Sequence, residues 1–179
     1  ESWTLELSSP VALSGMNYVG ENHYIGYSVN RLYHSVGESD STLWNFGSQY
    51  FSASSFIDEN NGWVIGSRGN LFVTGDGGLS WGELESESIP LNASAICFES
   101  RRNGWLTTTR GQIFKTISGG IDWELVYESE MYNIKFESIT SDGWNVFAVG
   151  SGIVVHCINR LDFNIAFESR DWWEEGGNL

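Results

Sequence analysis

Apolar and polar residues alternate along most of this chain in short runs, and Gly, Asn, Asp and Ser collect between the runs. Alternation puts one face of a segment inward and the other outward, which predicts half-buried β-strands joined by tight turns. No stretch places its apolar residues at helical spacing. Residues 62 to 85 are the clearest case: GWVIGS reads as a strand, RG as a turn, NLFVT as a returning strand, GDGGL as a second turn and SWGELE as a further strand. With SSFI ahead of them, the unit has four strands.

The unit recurs. Four segments carry it: SGMNYVGENHYIGYSVNRLYHS, ASSFIDENNGWVIGSRGNLFVT, SAICFESRRNGWLTTTRGQIFKT and IKFESITSDGWNVFAVGSGIVVHC. Tyr24, Trp63, Trp105 and Trp144 hold one position of it, and Trp3, Trp44, Trp81, Trp123 and Phe163 a second; both series step by roughly 40 residues, the spacing of a propeller blade. The expected fold is all-β, a β-propeller of four-stranded antiparallel blades with about four blades in this chain. The units fall near residues 8–47, 48–86, 87–128 and 129–169 of a single domain, with an extra outer strand at 2–7 and a tail at 170–179. The spare strand leaves two arrangements open: a piece of a larger propeller, or a strand that completes a second copy and makes a homo-oligomer.

Each recurring residue has a mechanical role. Gly69, Gly111 and Gly152 fall at the turn between second and third strands, where a positive φ suits glycine, and Asn30 takes that place in the first unit. Trp63, Trp105 and Trp144 are expected to fill the space between adjacent sheets.

The octet TGDGGLSW supplies Thr74, Asp76, Gly78, Ser80 and Trp81 on the loop from third to fourth strand. At these spacings it resembles the Asp-box of the bacterial neuraminidase repeat. In the third unit the same slots read Thr116, Ser118, Gly120, Asp122 and Trp123; in the fourth, Cys157, Asn159 and Phe163. The first unit keeps Ser35 and Trp44 with two extra residues between them. A catalytic or metal-binding loop would lose its chemistry when Asp76 becomes Ser or Asn, whereas an Asx-type turn needs only an acceptor oxygen. The octet is therefore expected to be structural, and its single carboxylate falls well short of a calcium site. No metal or cofactor is expected.

The wider repeat, best seen in FIDENNGWVIGSRGNLFVTGDGGLSW and next in FESRRNGWLTTTRGQIFKTISGGIDW, resembles that of the plant photosystem II stability and assembly factor family and its bacterial and phage-borne relatives. The resemblance covers about residues 14 to 169. It implies a non-enzymatic, extracytoplasmic β-propeller that binds other proteins, although members usually carry more blades than the four read here.

Charge narrows the partner. Nine Lys and Arg against 23 Asp and Glu give a formal charge of −14, which repels phosphate backbones and anionic membrane surfaces. No apolar run is long enough for a membrane helix. Nucleic acid and membrane insertion are thus not expected. Against this background Arg68 and Arg110 stand beside the turn glycine in neighbouring units, with Arg31 one residue away in the first. These arginines are the candidate protein-binding site, since guanidinium forks recognise carboxylates.

Three other readings stay open. A carbohydrate-binding propeller would use exposed aromatics, and Trp172 and Trp173 are the pair that the repeat does not explain. A structural subunit of a virion or larger assembly would dock through the spare strand. A sialidase-like hydrolase would need an arginine triad and a Tyr–Glu pair, yet Tyr127 and Glu128 read as outer strand. Cys97 and Cys157, on different strands of different units, are expected as two buried thiols.

Overall fold

The alternating runs pair strictly in chain order. In the computed structural model, which describes residues 12–21, 23–36, 40–47, 49–86, 88–131, 133–158 and 162–168, strands β1 (Gly15–Gly20), β2 (His23–Tyr27), β3 (Arg31–Val36) and β4 (Asp40–Asn45) form the first sheet. The second contains β5 (Phe51–Phe56), β6 (Gly62–Gly66), β7 (Leu71–Thr74) and β8 (Gly82–Leu84). The third contains β9 (Ala93–Phe98), β10 (Gly104–Thr108), β11 (Gln112–Thr116) and β12 (Glu124–Glu128), and the fourth β13 (Ser138–Ser141), β14 (Val146–Gly150), β15 (Ile153–Ile158) and β16 (Asp162–Glu168). All neighbours are antiparallel. The fold is all-β, four meandering four-stranded blades of the β-propeller kind. Among the described residues, no helix is long and apolar enough to cross a membrane. Trp3, the strand expected at 2–7, Asn159, the tail at 170–179 and its Trp172 and Trp173 lie outside the described residues.

The chain divides into two compact units, residues 1–85 with blades 1 and 2 and residues 86–179 with blades 3 and 4. In the first, Leu32, Phe51, Val64 and Phe72 make a buried cluster with Tyr27, Trp44, Phe46 and Trp81 against it. Phe46, Phe51 and Phe72 meet edge to face at 4.9 to 5.7 Å between centroids, a geometry that adds to the area term. Polar ties join the two blades: Tyr27 donates its hydroxyl to the Ser52 carbonyl at 3.2 Å, and the Asn17 amide reaches the Ser54 hydroxyl. In the second unit, Trp105, Ile113, Phe136, Val146, Ala148, Val155 and Cys157 are at the centre of the core. Trp105 is 1% exposed, and its indole N–H donates to Glu99 at 2.9 Å, which offsets the cost of burying the donor.

The strand register revises several repeat assignments. In blades 2 and 3 the hydroxyl residue at the end of the third strand pairs with a glycine, Gly62 with Thr74 and Gly104 with Thr116, so Trp63 and Trp105 come one step later. In blade 4 Cys157 pairs with Val146, and Phe147 therefore holds the Trp63 position. Trp144 lies outside the strand and is 72% exposed, contrary to its expected core role. The cause is local. Asp142 accepts from the amides of Trp144 and Asn145 at 2.8 and 2.7 Å, the same Asx turn that Asp58 makes with Asn60 and Asn61. Asn145 is thus the counterpart of Asn61, and DGWN matches ENNGW by composition but not by frame.

Blade 1 departs in similar ways. Ser35 pairs with Tyr24, which puts Tyr24 in the glycine slot and the buried Ile25 in the Trp63 slot. Trp44 pairs with Leu32, three residues beyond the Trp81 position, where the strand partner of Ser35 is Ser41. Phe163 does lie opposite Cys157, in the Trp81 position. At the second-to-third turns Gly69, Gly111 and Gly152 have φ of 75° to 77°, whereas Asn30 is not among the positive-φ residues. Instead its side-chain amide donates to the Gly47 carbonyl at 3.0 Å. Both cysteines are free; Cys157 is buried, whereas Cys97 is only partly buried, packed against the core of the second unit.

Candidate functional site

Loops at one end of each blade join first to second and third to fourth strands. Loops at the other end join second to third strands and one blade to the next. The octet sits at the first end and the arginine turns at the second.

At the octet end, the side chains of Thr74, Asp76 and Ser80 close on one another and on the amides of their own loop. Thr74 Oγ1 accepts from the amides of Gly78 and Asp76 at 2.8 and 3.3 Å and donates to Asp76 Oδ1 at 2.8 Å. Asp76 Oδ1 also accepts from the Ser80 amide at 2.8 Å, and Oδ2 from the Ser80 hydroxyl at 2.5 Å. Burial alone would raise the Asp76 carboxyl, but the Ser80 and Thr74 bonds prevail and hold it below the usual carboxylate range. In blade 3 Ser118 Oγ takes over, accepting from the Asp122 amide at 2.9 Å, while Thr116 Oγ1 accepts from Gly120 and Ser118. The same turn thus closes on a hydroxyl. Trp123 packs edge-on against Phe98 as Trp81 does against Phe56.

Gly77 shows why the loop needs its second glycine. Its φ is 71°, its amide donates to the Asn60 carbonyl at 2.9 Å, and a Cβ there would lie 2.7 Å from the Glu59 carbonyl. Gly119 repeats all three features against Arg102 and Arg101. The loop is locked to its neighbour by backbone, with no room for a side chain.

Two histidines back this loop in the first unit. His23 Nε2 donates to the Gly77 carbonyl at 3.0 Å, and its ring meets His34 edge to face at 4.8 Å. His34 is buried. Burial lowers its pKa, the adjacent His23 lowers it further, and Asp76 acts in the opposite sense. Among the described residues no three His, Cys, Asp or Glu side chains come together in a way that could hold a metal ion.

The arginine end is built differently. Arg68 lies in a short 3-10 turn, Ser67–Gly69, with φ 65° and ψ 22°, the left-handed region that costs a non-glycine residue about 1–2 kcal/mol. Its side chain is exposed. The Tyr50 amide donates to Ser67 Oγ at 3.2 Å and the Phe51 amide to the Val29 carbonyl at 3.1 Å, so Val29, Tyr50 and Arg68 lie side by side. Tyr50 is 61% exposed and Val29 55%. Arg31, at the start of β3, belongs to the same end of blade 1 and is half-buried. In the second unit Arg110 is exposed in the matching turn, and the neighbouring Thr109 amide donates to the Asn92 carbonyl at 3.0 Å, which brings Leu91, 77% exposed, alongside. Among the described residues, the only ion pair is Lys135 with Glu137 at 3.7 Å. The guanidinium groups of Arg31, Arg68 and Arg110 have no carboxylate partner there.

Arg31 and Arg68 therefore share one unit, and Arg110 occupies the equivalent place in the other. Tyr50 and Leu91 escape a sequence reading because each stands alone in an inter-blade loop, outside the alternation that marks strands. Solvent-exposed apolar residues beside unpaired cations can take a partner surface with both an apolar and an acidic component.

No family model matches the sequence, and no curated protein matches it either. Solved structures do. A structure described as YCF48 bound to D1 peptide aligns with a TM-score of 0.68 at 19% identity, over 87% of this chain and 55% of that one. YCF48 from Cyanidioschyzon merolae gives 0.65 at 19%, over 86% and 55%. A selenomethionine-substituted virginiamycin B lyase from Staphylococcus aureus gives 0.71 at 12%, over 89% and 57%. The chain thus spans little more than half the length of these structures. At such identities the likeness establishes the propeller fold, which carries both a peptide-bound protein and an enzyme.

Proposed function

We propose that this chain is a non-enzymatic protein-binding propeller segment of the assembly-factor type, and that it meets its partner through the end of the blades that carries the arginine turns. The observation that carries the reading is Arg68: a strained, exposed cation beside exposed Tyr50 and Val29, with no carboxylate partner among the described residues. A left-handed arginine costs folding energy that a glycine would not, which argues for a role outside folding. Arg110, exposed beside Leu91, repeats the pairing of cation and apolar side chain in the second unit, without the left-handed backbone. The similarity to a structure whose peptide is bound to YCF48 supports a protein partner.

On this reading the octet end is an Asp-box that serves the fold, because both Asp76 oxygens are already occupied by the loop's own donors. A location outside the cytoplasm follows from the family resemblance of the repeat. The test is site-specific photo-crosslinking from position 50 and from position 91 in an extract of the source cells. A crosslinked protein that disappears when Arg68 and Arg110 are both changed to Glu supports the reading; crosslinks indifferent to that change contradict it.

A further inference from the structure

The octet end is not uniform from blade to blade, and blade 3 differs in a coordinated way. Three first-to-second loops share one backbone turn, capped by Asp58, Ser100 and Asp142. The cap supplies the turn's side-chain acceptor, and the two residues inside each loop vary: Glu59 and Asn60, Arg101 and Arg102, Gly143 and Trp144. In blade 2 this end carries Asp58, Glu59 and Asp76 and no basic residue. In blade 3 both capping acids have become serines, Ser100 and Ser118, and the two positions inside the loop have become arginines. From blade 2 to blade 3, Asp58, Glu59 and Asp76 give way to Ser100, Arg101 and Ser118 while Ile57 and Ser80 give way to Glu99 and Asp122, so this end gains two arginines and has one acid fewer, in a chain of formal charge −14.

The surroundings of these arginines are apolar. Arg102 Nε donates to the Ile117 carbonyl at 3.3 Å, and the Gly119 amide donates to the Arg102 carbonyl at 2.9 Å. These bonds place Arg101 and Arg102 against the loop that exposes Ile117 and Ile121. Glu99, where this loop begins, bonds to Ser141, where the loop of Trp144 begins. Exposed Trp144 is thus adjacent within the same unit. Glu99 is turned inward to Trp105 and Ser141, and Asp142 is held by its own turn. Among the described residues neither arginine has an ion-pair partner.

We infer that Arg101, Arg102, Ile117, Ile121 and Trp144 form a second docking surface, for an extended peptide segment with carboxylates spaced by bulky apolar side chains. Guanidinium groups take the carboxylates in charge-assisted pairs, and the isoleucines and the indole take the apolar side chains. The inference rests on the protein-binding reading above but uses a different end of the blades, so the two stand or fall on different residues.

The test is fluorescence anisotropy with a labelled Asp-Phe-Glu-Asp-Leu-Glu peptide against the full chain. Binding is expected, weakened by roughly tenfold or more when Arg101 and Arg102 are both changed to Glu, since the charge-assisted pairs are lost and like charges are set against the peptide. Trp144→Ala weakens it as well, and both effects are read in an Arg68→Gly, Arg110→Ala background, so that the arginine turns at the other end of the blades do not contribute to the signal. Circular dichroism of each variant checks the fold, and Arg101→Lys with Arg102→Lys retains partial binding. Absence of binding to the parent chain overturns the inference. So does equal affinity for the parent and the Glu variant, or for a control peptide with Lys at every acidic position.

Discussion

The Phe147 ring lies flat on His156, 4.1 Å between centroids and 8° between planes, in the strand position that Trp63 and Trp105 hold in their own blades. Trp144, three residues earlier, is left in solvent. The consequence is a contrast in stability. Trp144→Ala is expected to change the unfolding free energy by less than about 0.5 kcal/mol, and Trp105→Ala to lower it by about 3–5 kcal/mol. Urea denaturation followed by fluorescence or circular dichroism measures both.

The octet makes a second contrast. Thr74→Val keeps the shape but removes the buried acceptor of the Gly78 amide, so a loss of about 1–3 kcal/mol is expected. Asp76→Ala removes a cap-like acceptor and is expected to cost about 0.5–2 kcal/mol. Asp76→Asn keeps an acceptor oxygen, as Ser118 does in blade 3, and is expected to cost less than Asp76→Ala. The order of the three midpoints in a denaturant series checks the turn directly.

Stability should fall with acidity in two stages. His34 has a lowered pKa in the fold, so the unfolded chain takes up the proton first: the contribution is intact above the unfolded value of about 6.5 and is lost as pH falls through the folded one. Asp76 is lowered too, and hydrogen bonds from the Asn145 side chain and amide and the Trp144 amide hold Asp142 at about 2. Their contributions are intact above the unfolded carboxyl range of about 4 and disappear as pH falls toward the folded values. Thermal midpoints recorded from pH 7 to pH 2 should show both declines, and His34→Gln should flatten the first without altering the second.

Arg68 permits a separation of folding from binding. Glycine suits φ 65° without strain, so Arg68→Gly is expected to leave stability unchanged or raise it by about 1 kcal/mol while removing the cation. A drop in the thermal midpoint would mean that the arginine supports the fold after all.

Much of this architecture is legible in the sequence, since strict alternation and turn glycines such as Gly69 and Gly111 mark the strands and their order. Frame is harder. Counting from the aromatic in DGWN misplaces blade 4, because Trp144 falls inside the Asx turn, where blade 2 has Asn60, and neither composition nor period reports where Asp142 starts its cap. Trp44 misleads for a related reason: aromatics on the outer strand of blade 1 serve the cluster around Leu32 and Phe72, and the residue opposite Ser35 is Ser41. Arg68 and Arg110 stand out by repetition. Tyr50, Leu91 and the Arg101–Arg102 pair become visible only when the loops fold back beside them.

The central claim is that the arginine turns meet a protein. Quantitative affinity capture from the source cells, comparing the parent chain with a folded Arg68→Gly, Arg110→Ala variant, tests it most directly. The account predicts at least one protein retained in near-stoichiometric amount by the parent and lost by the variant; retention of the same proteins in the same amounts by both would contradict it.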